Sequence, residues 1–287
     1  MRVKILSVFL FISSFAYAGG PWIEGKGSGY FQLSYTYLKY DRLLNGWNNP
    51  VSDLKREVSD FTLQAYFEYG LTDRMQLNVV LPYKFLRTGE ELLNAPDDLY
   101  PGDTVAAGTL NHFSNLSAGL KYLLLDKNLK VTAKFMVAAN TSEYDSLTGL
   151  RSGYDAWYFA PSFSIGRGYP RSYYFAEMGF RFKTNNYSND LLFAGEYGYR
   201  WGLFGDAETW TIIALEAVIP SGKGGYNDDR SGHTGLYMNE EGYISPGFKL
   251  NQQLGYGLYL NLAVYGAIWA DHHGAAPTYN AGLAYKF

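Results

Sequence analysis

The 287-residue sequence predicts an all-β fold, a transmembrane antiparallel β-barrel of about 12 strands. The first observation is a repeated alternation of polar and apolar residues over segments of about 10 residues, the length that a tilted strand needs to cross a bilayer. The second is composition, because 18% of the residues are aromatic, led by 27 Tyr, and 32 are Gly, which suits strands joined by tight turns. The third is that the chain ends in an alternating strand, PTYNAGLAYKF, whose last residue is Phe287.

The N-terminal residues predict export. Two basic residues, an apolar run over about residues 5–15 and the sequence Ala-Tyr-Ala at 16–18 follow one another in the order typical of a cleaved signal peptide. A transmembrane anchor is the alternative, but the run is too short to span a bilayer as a helix. We therefore expect a signal peptide at residues 1–18 and an outer-membrane barrel at residues 19–287.

The strands can be followed along the mature chain. In YFQLSYTYLKY (30–40), FTLQAYFEY (61–69) and MQLNVVLPYKF (75–85), apolar residues alternate with mostly polar ones. Short connections such as GLTD (70–73) alternate with longer ones, like the periplasmic and extracellular ends of an outer-membrane barrel. Further strands are predicted near residues 112–125, 129–140, 155–166, 173–183, 189–201, 208–219, 243–251, 256–269 and 277–287, and longer connections at 42–56, 88–111, 141–153 and 220–235.

A soluble β-sandwich or a lipocalin-like barrel would also alternate, because one face of each strand would be buried. The membrane barrel is favoured because the alternation persists through all strands and the apolar face carries almost no charge. Tyr69, Trp201 and Phe287 fall at predicted rim positions, as in an aromatic girdle. We therefore expect the cell outer membrane as the location and its lipid bilayer as a partner. The chain has no Cys and no Lys/Arg cluster, which argues against disulfide bonds, thiolate sites and nucleic-acid partners.

The last strand is predicted to close the barrel. Its lipid-facing residues would be Tyr279, Leu283, Tyr285 and Phe287, and it would pair with the first strand near Phe31. A C-terminal strand that ends in Phe resembles the sorting signal that outer-membrane barrels present to their assembly machinery. The resemblance implies this machinery as a second partner.

The faces opposite to the apolar ones are predicted to line the interior. Positive and negative side chains occur there in similar number, which favours a weakly selective path or a path for neutral solutes. The alternative is that these charges only pair with one another in a packed interior. The predicted lumen-lining residues are Glu68, Gln76, Lys84, Lys121, Lys134, Glu177, Arg181, Glu196, Arg200, Glu216, Lys249 and Tyr265.

Two pairs of interior residues are predicted from the hairpins. Counting across the connection at 184–188 places Arg181 opposite Asp190, which indicates a structural pair. Glu68 similarly falls near Gln76 across the GLTD turn. Neither pair implies transport.

Inward-facing rings offer a more specific hypothesis. Tyr66, Tyr259 and Tyr265 fall on interior positions, where their rings could stack on sugars or aromatic solutes. Tyrosine is also a common filler of barrel interiors with its hydroxyl in a polar network, and this alternative stays open.

The segment NHFSNLS (111–117) contains the catalytic candidates His112 and Ser114. It resembles part of the His-x-Ser-Asn-Gly motif of outer-membrane phospholipases, which implies a serine and a histidine on the lipid side of the barrel. Leu116 replaces the glycine of that motif, so we expect the protein not to be an enzyme. We also expect no cofactor and no metal site, and we interpret DHHG (271–274) as a solvated loop because spacing places no third ligand beside its histidines.

Three segments resemble a family of outer-membrane proteins named for the MetA pathway of phenol degradation. They are GKGSGYFQLSYTY (25–37), EYGLTDRMQLNVVLPY (68–83) and SAGLKYLLL (117–125). The resemblance implies a channel or transporter for small molecules, including hydrophobic or aromatic ones. A structural or export-accessory barrel, for instance in exopolysaccharide secretion, is the alternative, and a phospholipase-like enzyme is third.

Overall fold

The computed structural model describes residues 20–46, 51–92, 105–204, 207–227 and 232–287. The predicted signal peptide, residues 1–18, lies outside the described residues. No helix among the described residues is both long and apolar enough to span a membrane. The strands are β1 (Gly29–Gly46), β2 (Val51–Thr72), β3 (Met75–Glu91), β4 (Gly108–Phe113), β5 (Ser117–Asp126), β6 (Lys130–Ala138), β7 (Tyr144–Asp145), β8 (Leu150–Arg151), β9 (Tyr158–Gly168), β10 (Ser172–Lys183), β11 (Asn189–Phe204), β12 (Ala207–Ser221), β13 (Gly242–Gly255), β14 (Leu258–Tyr265), β15 (Trp269–Gly274) and β16 (Thr278–Lys286).

All these strands except β7 and β8 form one antiparallel sheet that closes on itself. The strands β4 and β5 pair with successive parts of β3 and therefore share one place in the wall. The short β15 lies at the rim, where it pairs with β13 and with the end of β1. Counted in this way, the described part of the chain forms a closed barrel of twelve strands, and the predicted fold is confirmed.

The pairing of β1 with β16 closes the barrel. Phe31 lies opposite Tyr285, as predicted, and Tyr37 lies opposite Tyr279. The last residue also takes part, because the backbone N–H of Phe287 donates to Gly29 O and the N–H of Gly29 donates to Phe287 O. Closure leaves no open sheet edge at this seam, as a bilayer requires.

The period of two along each strand separates a polar interior from an apolar exterior. On β1, Phe31 is 40% exposed and Leu33 is 42% exposed, whereas Gln32 between them is 7% exposed. Aromatic and aliphatic side chains cover the outside of the other wall strands in the same way, for example Phe163 on β9 and Ile213 on β12. This apolar outer surface is suited to lipid, and the molecule is an outer-membrane β-barrel.

The end of the barrel with the longer connections is filled by two of them. The connection 139–157, which carries β7 and β8, and the described residues 222–227 and 232–241 of the next long connection fold inward at this end. Leu150, Leu236 and Met238 from these connections are almost fully buried against wall residues of the interior such as Leu38 and Val58. Long loops mark the extracellular end of such barrels, so an apolar plug closes the extracellular end.

The opposite end, with the short turns, is covered by residues 20–28, called here the N-terminal strap. The indole of Trp22 contacts the ring of Tyr173 edge-on, with 5.2 Å between centroids. The Lys121 ammonium donates to Trp22 O at 3.1 Å. The strap joins the wall at Gly27, whose φ of 80° favours glycine and whose N–H donates to Gly70 O at 2.9 Å.

Some predicted boundaries were wrong. The connection predicted at 42–56 is largely strand, because β1 continues to Gly46 and β2 begins at Val51. The strand predicted at 112–125 is broken at residues 114–116, where the side chain of Asn115 bonds to the backbone of the plug at Tyr154 and Ala156 instead of extending the ladder. The strand predicted at 256–269 is interrupted after Tyr265, where Gly266 and Ile268 still donate to the β13 carbonyl oxygens of Pro246 and Ile244, and strand geometry resumes at Trp269.

Candidate functional site

Two cavities of the barrel interior lie between the extracellular plug and the N-terminal strap. The first, the central cavity, has a volume of about 90 Å³ and lies below the extracellular plug. The second, the lower cavity, has a volume of about 370 Å³ and lies between the central cavity and the N-terminal strap. Both lie inside the barrel, one after the other along the path between its two ends.

Tyrosine rings and small apolar side chains form much of the central cavity. Tyr154 and Tyr237 from the plug contact each other edge-on at 5.2 Å and cover the cavity from the extracellular side. The wall contributes apolar groups from several strands, which give flat surfaces without hydrogen-bonding groups. Those wall residues are Val80, Pro82, Met136, Ala160 and Val218.

Every cation that lines the central cavity has a carboxylate partner. The Lys84 ammonium also lies 5.1 Å from the centre of the Tyr237 ring, and burial raises the pKa of the Tyr237 hydroxyl, which keeps this group neutral. The lysine and arginine charges of the cavity are therefore compensated, and Glu241, which also lines it, lies 2.6 Å from His273 Nδ1. The pairs are Lys84–Asp60 at 2.5 Å, Lys134–Glu177 at 2.6 Å and Arg181–Asp190 at 2.6 Å.

A hydrogen-bonded network separates the two cavities. The Tyr66 hydroxyl donates to Glu68 Oε1 at 2.5 Å and accepts a bond from Asn78 Nδ2 at 2.8 Å. The same Asn78 amide donates to Glu68 at 2.8 Å. Tyr66 and Asn78 line the central cavity and Glu68 lines the lower one, so this network forms part of the boundary.

The lower cavity is more polar and contains four carboxylates. Three of them are paired with a lysine, but the fourth, Glu216, has no lysine or arginine within 4 Å among the described residues. Glu216 is 8% exposed and lies beside Tyr265. The three pairs are Lys121–Glu68 at 3.5 Å, Lys249–Glu196 at 2.6 Å and Lys286–Glu24 at 2.9 Å.

The residues predicted to line the lumen occupy different places. Lys84, Lys134 and Arg181 line the central cavity. Gln76 is buried and accepts a bond from the N–H of Glu24 at 2.7 Å, whereas Arg200 lies half-exposed at the periplasmic end, 2.6 Å from Glu208. Those that line the lower cavity are Glu68, Lys121, Glu196, Glu216, Lys249 and Tyr265.

The predicted neighbour of Glu68 was wrong by one pair. Glu68 lies opposite Asn78, and Gln76 lies opposite Gly70. The register shifts between Gly70 and Thr72, so counting through the turn as a regular hairpin gives the wrong partner.

The two tyrosines most relevant to the central cavity, Tyr154 and Tyr237, were missed by sequence reasoning, as was Trp22. All three lie outside the wall strands, where no period of two marks an inward-facing residue. Of the rings predicted to face inward, Tyr66 lines the central cavity, and Tyr259 and Tyr265 line the lower cavity.

His112 and Ser114 point to different partners. Ser114 is buried, and its Oγ lies 3.5 Å from the hydroxyl of Tyr237 in the plug. His112 Nδ1 lies 3.2 Å from the carbonyl oxygen of Phe113. Both residues lie on the inward side, because His112 pairs with the inward-facing Lys84 and Ser114 is buried; the placement on the lipid side, which the phospholipase resemblance implied, was therefore wrong.

The DHHG segment is not a solvated loop. It lies in β15, where His273 is 2% exposed and its Nδ1 lies 2.6 Å from Glu241 Oε1. His272 is half-exposed, with a φ of 52°. Within the described ranges, no three His, Asp or Glu side chains are close enough together to hold a metal ion.

The fold resembles solved outer-membrane proteins. The COG4313 outer membrane channel from Pseudomonas putida F1 matches with a TM-score of 0.65 and 16% identity, over 96% of this chain and 100% of that chain. The KdgM porin matches with a TM-score of 0.47 and 8% identity, over 89% and 99% of the two chains. The CymD monoaromatic hydrocarbon channel matches with a TM-score of 0.43 and 7% identity, over 92% and 88%.

The TM-score of 0.65 shows that the chain shares its fold with the COG4313 channel. No family model matches the sequence, and no curated protein matches it.

Proposed function

We propose that this barrel is an outer-membrane channel or transporter for small hydrophobic or aromatic molecules. The observation that carries the proposal is the central cavity, in which tyrosine rings and small apolar side chains surround a space whose lysine and arginine charges are already paired. Such a cavity offers flat apolar contact and hydroxyl groups, which suit an aromatic or hydrophobic solute better than a free ion.

The two ends give the proposed channel two barriers. The extracellular plug covers the central cavity, and the N-terminal strap covers the lower one. Both are connecting segments and not wall strands, so they can move while the ladder of the barrel stays intact. Passage of a solute therefore requires displacement of the plug and of the strap in turn.

The resemblance of residues 25–37, 68–83 and 117–125 to the MetA-pathway family supports the same function, and we propose that the chain belongs to that family. The outward aromatic residues Tyr279 and Tyr285 of β16, followed by Phe287, support recognition by the barrel assembly machinery. The fold shared with a COG4313 outer membrane channel is compatible with conduction.

Planar-bilayer recording of the refolded barrel, with a panel of aromatic, sugar and fatty solutes, tests the proposal. We expect a small conductance that an aromatic solute such as phenol blocks or modulates, and direct binding of that solute. An export-accessory barrel would show neither conductance nor solute binding, and this result would contradict the channel proposal.

A variant that fills the central cavity makes the test specific. Ala160 is 4% exposed and lines this cavity, so Ala160→Trp should lower solute binding by about tenfold. Its neighbour Phe159 points to the outside, and Phe159→Trp is the matched control, with binding expected to be unchanged. Equal losses in both variants would contradict the assignment of the cavity.

A further inference from the structure

The lower cavity contains a charge imbalance that the proposed function does not use. Glu24, Glu68 and Glu196 each have their own lysine, whereas Glu216 lines the same cavity and has none within 4 Å in the described part of the chain. A carboxylate that is 8% exposed and lacks a cation loses hydration without gaining an ion pair. A cation in the cavity would remove this imbalance.

The position of Glu216 on β12 gives it room to reach the cavity. Its neighbours across the ladder are Ala194 on β11 and Ser245 on β13, which are both small. Ala214, the preceding inward-facing residue of β12, is small as well. The Tyr265 side chain lies beside Glu216, and both line the same cavity.

Aromatic rings surround the same space. Tyr30, Tyr173 and Tyr259 line the lower cavity with Tyr265, and Trp22 covers it from the strap. One ring already accepts a cation, since Lys249 Nζ lies 5.3 Å from the centre of the Tyr265 ring. Ring faces together with one carboxylate favour a cation that also has apolar surface. Such a cation makes an ion pair with the carboxylate and cation–π contacts with the rings, and it is weakly hydrated, so its transfer from water costs little.

We propose that the lower cavity binds an organic ammonium ion, with the Glu216 carboxylate as its counter-charge and the surrounding rings as its apolar contacts. This inference goes beyond the proposed channel function, since it assigns a second site for a different chemistry. An inorganic cation would use the carboxylate but not the rings. A neutral aromatic molecule would use the rings but not the carboxylate.

Isothermal titration of the folded barrel in detergent with benzyltrimethylammonium, and with benzyl alcohol as its neutral counterpart, tests this site. We expect binding of the ammonium probe to the wild type and a loss of about tenfold or more in Glu216→Gln. The matched control is Glu57→Gln, which removes one charge from an outward ion pair with Lys39 and should leave binding unchanged.

Glu216→Gln keeps the size of the side chain, and it is expected to fold because it removes a buried charge that has no cation partner. Ile212→Trp, on the same strand and also lining the cavity, gives an independent variant that fills the site and should abolish binding. The folded state of each variant is checked by heat-modifiable migration in gels.

Three results would overturn the inference. The first is no binding of the ammonium probe by the wild type. The second is equal binding by the wild type and Glu216→Gln. The third is displacement by equimolar NaCl, which would indicate an inorganic-cation site. Intact conductance with any of these results would reject this site and leave the proposed channel standing.

Discussion

Arg181 and Asp190 face each other across the hairpin of β10 and β11, and Arg181 Nε donates to Asp190 Oδ2 at 2.6 Å. The side chains are 2% and 0% exposed, so water does not compete for either group. Lys183 adds a second cation, with its Nζ 3.0 Å from the same oxygen. The sequence predicted this pair from the short connection between the strands, and the register confirms it.

Arg181→Glu should destabilise the barrel by about 3–5 kcal/mol, because it places two carboxylates in a buried site built for an ion pair. Urea unfolding followed by tryptophan fluorescence measures the change. Arg171→Glu, in an exposed turn, is the matched control and should change the free energy of unfolding by less than about 0.5 kcal/mol. A large change in solute preference without a loss of stability would argue against a structural role for the pair.

Trp22→Ala should raise the single-channel conductance several-fold. The indole covers the lower cavity through its contacts with Tyr173 and Phe175, at 5.2 and 5.9 Å between centroids, and alanine cannot replace them. Recording in planar bilayers measures the effect.

The control for this variant is Trp201→Ala. Trp201 is 45% exposed on the outside of the barrel, so its loss removes an indole without opening the lower cavity. Equal conductance in the wild type and Trp22→Ala would show that the strap is not a barrier.

Asn115→Ala should loosen the extracellular plug and lower stability by about 1–3 kcal/mol. Its amide nitrogen lies 3.0, 2.9 and 3.2 Å from the carbonyl oxygens of Ala139, Tyr154 and Ala156, and its Oδ1 accepts the N–H of Tyr154 at 2.8 Å. Limited proteolysis should cut the connection 139–157 faster in this variant.

The matched control is Asn111→Ala. Asn111 lies near Asn115 in the chain, but its side chain is on the exposed, outward face of β4. Unchanged cleavage in Asn115→Ala would mean that apolar burial of residues such as Leu150 holds the connection by itself.

Phe287→Ala should slow assembly of the barrel more than it destabilises the assembled state. The ring of Phe287 lies 6.5 Å from that of Phe67 and 6.0 Å from that of Tyr285, on the outside of the seam, while its two closing backbone bonds to Gly29 do not need the side chain. Folded yield from cells, compared with urea stability of the purified barrel, separates the two effects. Tyr279→Ala, also outward on β16, is the control.

The wall strands could be predicted from sequence alone, because polar and apolar residues alternate along each strand. Several successive residues therefore indicate the same inward and outward faces, and one exception does not change the assignment. Sequence alone could also predict Arg181 with Asp190, since the connection between them is short and regular. It failed for Glu68 with Gln76, where the register shifts inside the turn, and for Ser114, where an asparagine bonds to a distant loop. The plug and the strap carry no period, and their residues meet the wall only through long-range packing, which a local pattern does not encode.

The way in which the strap is fastened has a mechanical consequence. Among its described residues only Gly27 and Ser28 bond through the backbone to the wall, in both cases to Gly70. The preceding part is held by side chains, with Lys121 bonded to Trp22 O and Gln76 bonded to Glu24 N. Release of that part would therefore cost a few side-chain hydrogen bonds, the Glu24–Lys286 ion pair and the packing of one indole, and no backbone pairing of the wall would open. Residues 20–26 can therefore move about Gly27 while the wall strands stay in place. The periplasmic barrier can open independently of the extracellular one.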